Sequence, residues 1–132
     1  MSAFSNYLED QITGWIAGTT FASAPTATFV QLYNGDPTDT GSSGTALYSR
    51  VSVASGAGSW TRGTGGNGTI TNASAVTITS SASATASATH VAVFDASSSG
   101  NLLFYGALTT AKTIASGDEV KFNASALTLT VA

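Results

Sequence analysis

The sequence contains no cysteine, so disulfides and thiolate metal sites are excluded and nothing in it reports a redox compartment. Charge is almost as scarce: Asp, Glu, Lys and Arg make up 8% of the 132 residues, against roughly 25% in ordinary soluble proteins. The only cations are Arg50, Arg62, Lys112 and Lys121, and the formal net charge is −3. Phosphate neutralisation needs several clustered cations, so no nucleic-acid partner is expected. No apolar run approaches the roughly 20 residues that span a bilayer. No basic stretch followed by an apolar one opens the chain, so neither a membrane partner nor a secretory signal is expected. Large aliphatic residues are also few. Leu, Ile, Val and Phe together are about a fifth of the chain, near the lower limit for globular folds. The core must therefore be modest, and burial against partner subunits would add to its stability. A surface this poor in charge suits a protein that is covered inside a larger assembly.

Short apolar runs interrupt a background of Ser, Thr, Ala and Gly. Residues 2–17 carry the one helical pattern, with Phe4, Leu8, Ile12 and Ile16 every four residues and Tyr7 and Trp15 widening the stripe. Ser2 or Ser5 can cap its start, or Asn6 with Glu9 as a capping box, and Gly18 is a natural stop. Residues 1–18 are thus expected to form an amphipathic helix or arm, lying on its own sheet or on a neighbouring subunit. Residues 19–132 are expected to form one β-domain.

Within that domain, 27–33 alternates Phe29, Gln31 and Tyr33 with Val30 and Leu32, and 47–53 sets Val51 and Val53 against Tyr48 and Arg50. The intervening 34–45 loop has no apolar anchor and is expected to be exposed and mobile. Residues 55–68 are glycine-rich, an edge strand or a surface loop pinned by Trp60. Strands are expected at 69–72 and 75–79, with 80–88 as a small-residue connection. The densest apolar pair of runs flanks the polar turn Ala96–Asn101, marking a central hairpin over 89–108. A turn at 115–118, a strand at 119–123 and an alternating strand at 127–131 complete seven or eight strands. The expected fold is mainly β, a single sandwich or barrel-like domain with a short N-terminal helix.

Candidate chemistry is sparse. His90 lacks a partner, since strand alternation sends Asp95 to the opposite face. Asp36 and Asp39 lack the ligand spacing of a calcium loop, and Asn34-Gly-Asp-Pro37 reads as a turn. Gly63–Gly68 has no Lys-Ser/Thr ending and is not a phosphate loop. Asn67, Asn72 and Asn123 sit in Asn-x-Ser/Thr triplets of the kind that chance supplies in so Ser/Thr-rich a chain. Tyr48 and Trp60 could stack on a sugar, but core packing or a subunit contact is the commoner fate of such aromatics. No enzyme, metal or cofactor is expected. The candidate interface residues are Phe4, Leu8, Ile12, Trp15, Ile16, Tyr48, Trp60 and Arg62.

Several stretches together resemble a family of small virion proteins of tailed bacteriophages. They are Phe4–Glu9 opening a helix, Ala27–Tyr33 running into Gly35-Asp-Pro-Thr38, and Thr89–Asp95 followed by Gly100–Leu103 and Gly106–Thr109. Ile114–Asp118 and the last alternating strand extend the likeness over nearly the whole chain. The resemblance implies a structural virion component without catalytic residues, of a tail-fibre-like or capsid-associated kind. The first expectation is a capsid cement protein, a trimer seated on the major capsid protein. The alternative is a tail or head-fibre component acting as adaptor or host-binding domain. A secreted carbohydrate-binding module or small hydrolase is the reading from a different class.

Overall fold

The computed structural model of the chain describes residues 2–54, 59–66, 68–80 and 85–131. Ten strands and one helix follow in the order β1 (Ser2–Phe4), α1 (Asn6–Ile16), β2 (Ala27–Asn34), β3 (Thr45–Ala54), β4 (Trp60–Arg62), β5 (Thr69–Asn72), β6 (Val76–Thr79), β7 (Ala86–Phe94), β8 (Leu102–Ile114), β9 (Glu119–Phe122) and β10 (Thr128–Thr130). They build a five-stranded sheet in the order β1-β8-β7-β2-β3, a three-stranded sheet β10-β5-β4 and a two-stranded sheet β6-β9. Among the described residues every pairing is antiparallel. The fold is mainly β and sandwich-like, as the spacing of apolar runs and turns predicts.

Alternation along the interior strand β2 sets the two faces of the large sheet. Val30 and Leu32 point inward and are fully buried, packing with Leu47, Val53, Val76, Ile78, Val93, Ile114 and Leu127. Tyr33 points the other way and forms a smaller cluster with Ala92, Phe94 and Leu102. The main packing is incomplete along β8. A cleft of about 700 Å³ opens there, lined by Val91, Val93, Leu108, Phe122 and Leu127.

Four departures from the sequence reading have local causes. The helix starts at Asn6, not at residue 2, because 2–4 pair with Phe104–Gly106 as an edge strand. Ser5 then caps the helix, its side chain accepting from Leu8 N at 3.2 Å. Phe4 accordingly leaves the helical stripe. The 34–45 loop is mostly exposed, as expected, but it is anchored: Pro37 is buried, and Gly41 lies against Phe94 and Leu102 closely enough that a Cβ would sit 3.4–3.5 Å from them. This loop covers the outer cluster.

Tyr48 does not share a face with Arg50. Tyr48–Arg50 stand opposite Gln31 alone, a bulge in which Tyr48 adopts φ 60°, and both N–H bonds of the Gln31 amide are taken up by Leu47 O (2.7 Å) and Tyr48 O (2.8 Å). The bulge returns Tyr48 to the main core while Arg50 lies over the Phe94 ring, 3.5 Å from its centroid. Arg50 also donates to Ala96 O and Ser99 O, tying the β7–β8 turn to β3. Lastly, the central hairpin runs past residue 108 to Ile114, with 108–111 bulging where Ala88 pairs Lys112 and His90 pairs Ala107. The expected glycine-rich 55–68 segment contains the short strand β4; residues 55–58 and 67, and 81–84 of the 80–88 connection, lie outside the described residues.

Candidate functional site: the helix-capped end

The hydrogen bonds that tie the helix to the outer loop and the large sheet are made at its start. Ser5 is buried; its hydroxyl donates to Leu102 O and its backbone N–H to Leu103 O at 3.1 Å. Asn6 N–H reaches Asp39 O at 3.2 Å, and the Tyr105 hydroxyl donates to the Asp39 carboxylate. Asp39 thereby joins the outer loop, the helix start and β8. That hydrogen bond, with burial and the carboxylates of Asp39, Asp36 and Glu9, pushes the Tyr105 hydroxyl up to about 12. A phenol whose pKa is raised on folding stabilises in its neutral form. The contribution is therefore present below about pH 10 and lost as pH rises toward 12. In ultraviolet titration one tyrosine should ionise near 12, and Asp39→Asn should bring that midpoint back toward 10. An unmoved midpoint would show that Asp39 is not its cause.

Beyond its first turn the helix lifts away from the body. None of its residues is buried; Trp15 is 64% and Ile16 74% exposed. Gly18, at φ 90°, ends it as expected, with Thr19 N–H returning to Gly14 O at 2.8 Å in the pattern of a left-handed cap. The chain then folds back, and Ala22 N–H donates to Gln11 Oε1 at 2.8 Å. Between this return, the helix start and the two layers lies a groove of about 610 Å³, whose walls include Tyr7, Leu8, Phe21, Trp60, Phe104 and Leu129.

Trp60 is fixed in that wall. Its indole N–H donates to Thr28 Oγ1 at 3.0 Å, and its ring meets Phe104 edge to face with centroids 5.9 Å apart. An aromatic held so is a poor sugar platform, since its polar handle and one contact direction are already used. Of the residues singled out from the sequence, Leu8 and Trp60 share the groove, and Trp15 and Ile16 form the exposed helix tip, with Ile12 half-buried between. Phe4 lines the larger cleft beside β8 instead. Tyr48 packs on the main core, its hydroxyl enclosed without a hydrogen-bond partner among the described residues. Arg62 is exposed on β4, paired across the strands with the groove residue Ile70 but not itself among the lining residues. Phe21, Phe104 and Leu129 complete the groove without having been singled out. Phe21 alone carried a signal, as a lone aromatic among small residues after the helix.

Among the described residues, the polar side chains singled out from the sequence are each engaged close by. His90 Nδ1 lies 3.0 Å from Thr89 Oγ1, and the Asp95 carboxylate accepts from Asn101 N and Nδ2. Asp36 accepts from Thr38 N within its turn. Among the described residues no group of three His, Asp or Glu side chains could hold a metal, and no helix is long and apolar enough to cross a membrane. The family model described as Podophage GP4 fiber I protein gp80 matches residues 3–130. No curated protein is significantly similar to the chain.

Proposed function

Because the chain belongs to the podophage GP4 fiber I protein family, a family of virion structural proteins, we propose that it is a fibre subunit of the tail or head that works by surface contact. The match over residues 3–130 carries this reading, since it takes in both the helix and all but the outermost residue of the sheets. A fibre component is therefore preferred to a capsid cement protein, reversing the order in which the sequence alone ranks them. The role is structural and not catalytic. Its partners are neighbouring tail proteins and further copies of the same chain, with a trimer as the expected symmetry.

The body suits such work. Low charge lets most of its surface be covered without stranding ions, and a helix attached at one end offers apolar side chains to a neighbour. Quantitative mass spectrometry of purified virions, with gold-labelled antibody, tests the assignment. Far fewer copies than the major capsid protein, with label on the tail or on fibres, is the expected result. A copy number matching the capsid lattice, with label over the shell, would overturn it and restore the cement reading.

A further inference from the structure

The lifted helix tip and the groove beside the helix start are complementary features of one chain, and we propose that Trp15 and Ile16 of one copy fill the groove of a second copy. This contact rests on the reading of the chain as an assembling fibre subunit.

The tip needs cover. Trp15 and Ile16 are the two most exposed large apolar side chains among the described residues, and they are adjacent. Exposed apolar surface of this kind is normally broken up by charge when it must stay in water. Here no Asp, Glu, Lys or Arg occurs from Gln11 to Gly35, so the tip's own segment carries no charge that would resist burial.

The groove is suited to receive it. Its volume of about 610 Å³ falls in the range of roughly 300–1,000 Å³ that encloses groups of this size. Two of its polar side chains, Thr28 and Asp95, are already engaged within the chain. The Thr28 hydroxyl donates to Val53 O and accepts from Trp60 Nε1, and Asp95 accepts twice from Asn101. Trp60, Phe104, Leu129 and Phe21 supply the rest of the contact. Tyr7, Ser23 and Thr26 also line it, but an indole and a branched aliphatic side chain need no donor or acceptor from the groove.

A copy cannot satisfy itself. Tyr7 lines its own groove and Ile16 lies nine residues further along the same helix, about 13 Å at ~1.5 Å per residue. The Gly18 cap and the Gln11–Ala22 hydrogen bond hold the helix end in that place. The contact is therefore heterologous, tip to groove, and repeats around a closed ring or along a filament.

Sedimentation velocity on the purified full chain tests this. The wild type is expected to associate as concentration rises, with Trp15 emission moving to shorter wavelength. The double variant Trp15→Asp/Ile16→Asp, and separately Phe21→Asp in the groove, should each remain monomeric with an unchanged far-ultraviolet circular dichroism spectrum. Mixing the two variants should give a one-to-one dimer, since one brings an intact groove and the other an intact tip. Wild type that stays monomeric at its highest soluble concentration overturns the proposal, as does a mixture that stays monomeric when wild type associates. If wild type is monomeric yet virion labelling finds it in fibres, the tip–groove contact fails while the fibre reading stands. If it associates as described but labels the shell, the contact stands and the fibre reading fails.

Discussion

Asn72→Ala is expected to destabilise the chain by about 3 kcal/mol and to lower its thermal midpoint by on the order of 10 °C. Asn72 is fully buried at the end of β5. Its amide nitrogen donates to Ser74 O and Asn123 O, each at 2.8 Å, and its amide oxygen accepts from Leu127 N at 2.8 Å. Backbone bonds add to the knot, with Asn72 N–H to Leu127 O and Ser125 N–H to Asn72 O. One side chain thus fixes where the chain leaves β9 and enters β10. Alanine removes three hydrogen bonds worth about 1 kcal/mol each and strands the buried Leu127 N–H. Calorimetry on Asn72→Ala checks this, with the exposed Asn123→Ala as a control expected to stay within about 0.5 kcal/mol of wild type. Equal midpoints for the two variants would show that the Asn72 network is not what holds this corner.

Leu32→Ala should cost about as much or more, roughly 3–5 kcal/mol, by a different mechanism. Leu32 is fully buried on β2, which is hydrogen-bonded on both sides, to Val91 of β7 and Leu47 of β3. Collapse around a deleted side chain needs movement of the neighbouring backbone. Two intact ladders oppose that movement, so the vacated space persists and the cost falls in the upper part of the range. The existing cleft beside β8 leaves this small core with little reserve. Denaturant unfolding should show a lower midpoint with an unchanged slope. Less than about 1.5 kcal/mol of destabilisation would mean the core relaxes around the site.

The contrast between these two residues explains what the sequence could disclose. Leu32 was legible because alternation with Gln31 and Tyr33 marks an inward position on a strand. Asn72 shows in the sequence only as part of a chance Asn-x-Ser triplet, since its partners at Asn123 and Leu127 lie about fifty residues away and follow no local rule. The same limit explains the helix start. Phe4 continues the four-residue spacing of Leu8 and Ile12, but the backbone of β8 offers residues 2–4 a sheet edge that no local pattern announces. Tyr48 shifted faces because Gln31 holds a bulge open, and the outer loop closed down through Pro37 and Asp39 without a large aliphatic anchor. For the contact surface, residue type sufficed to mark Leu8, Ile12, Trp15, Ile16 and Trp60. It could not separate tip from groove, because that division depends on where the helix leaves the body.

The Ser5 cap also sets an order of events during synthesis. Its hydroxyl and N–H are satisfied by Leu102 and Leu103, 97 and 98 positions downstream. The ribosome thus delivers the N-terminal segment first, and it must wait for the hairpin of β7 and β8 before its strand and helix can dock. Such distant pairings make for slow maturation, with the long-range closure forming late. Until then the apolar stripe is unplaced, and once docked its tip alone remains uncovered. Subunits competent to associate therefore accumulate only after β10, which brings Leu129 to the groove, has been delivered. That timing separates the folding of one copy from its engagement with the next.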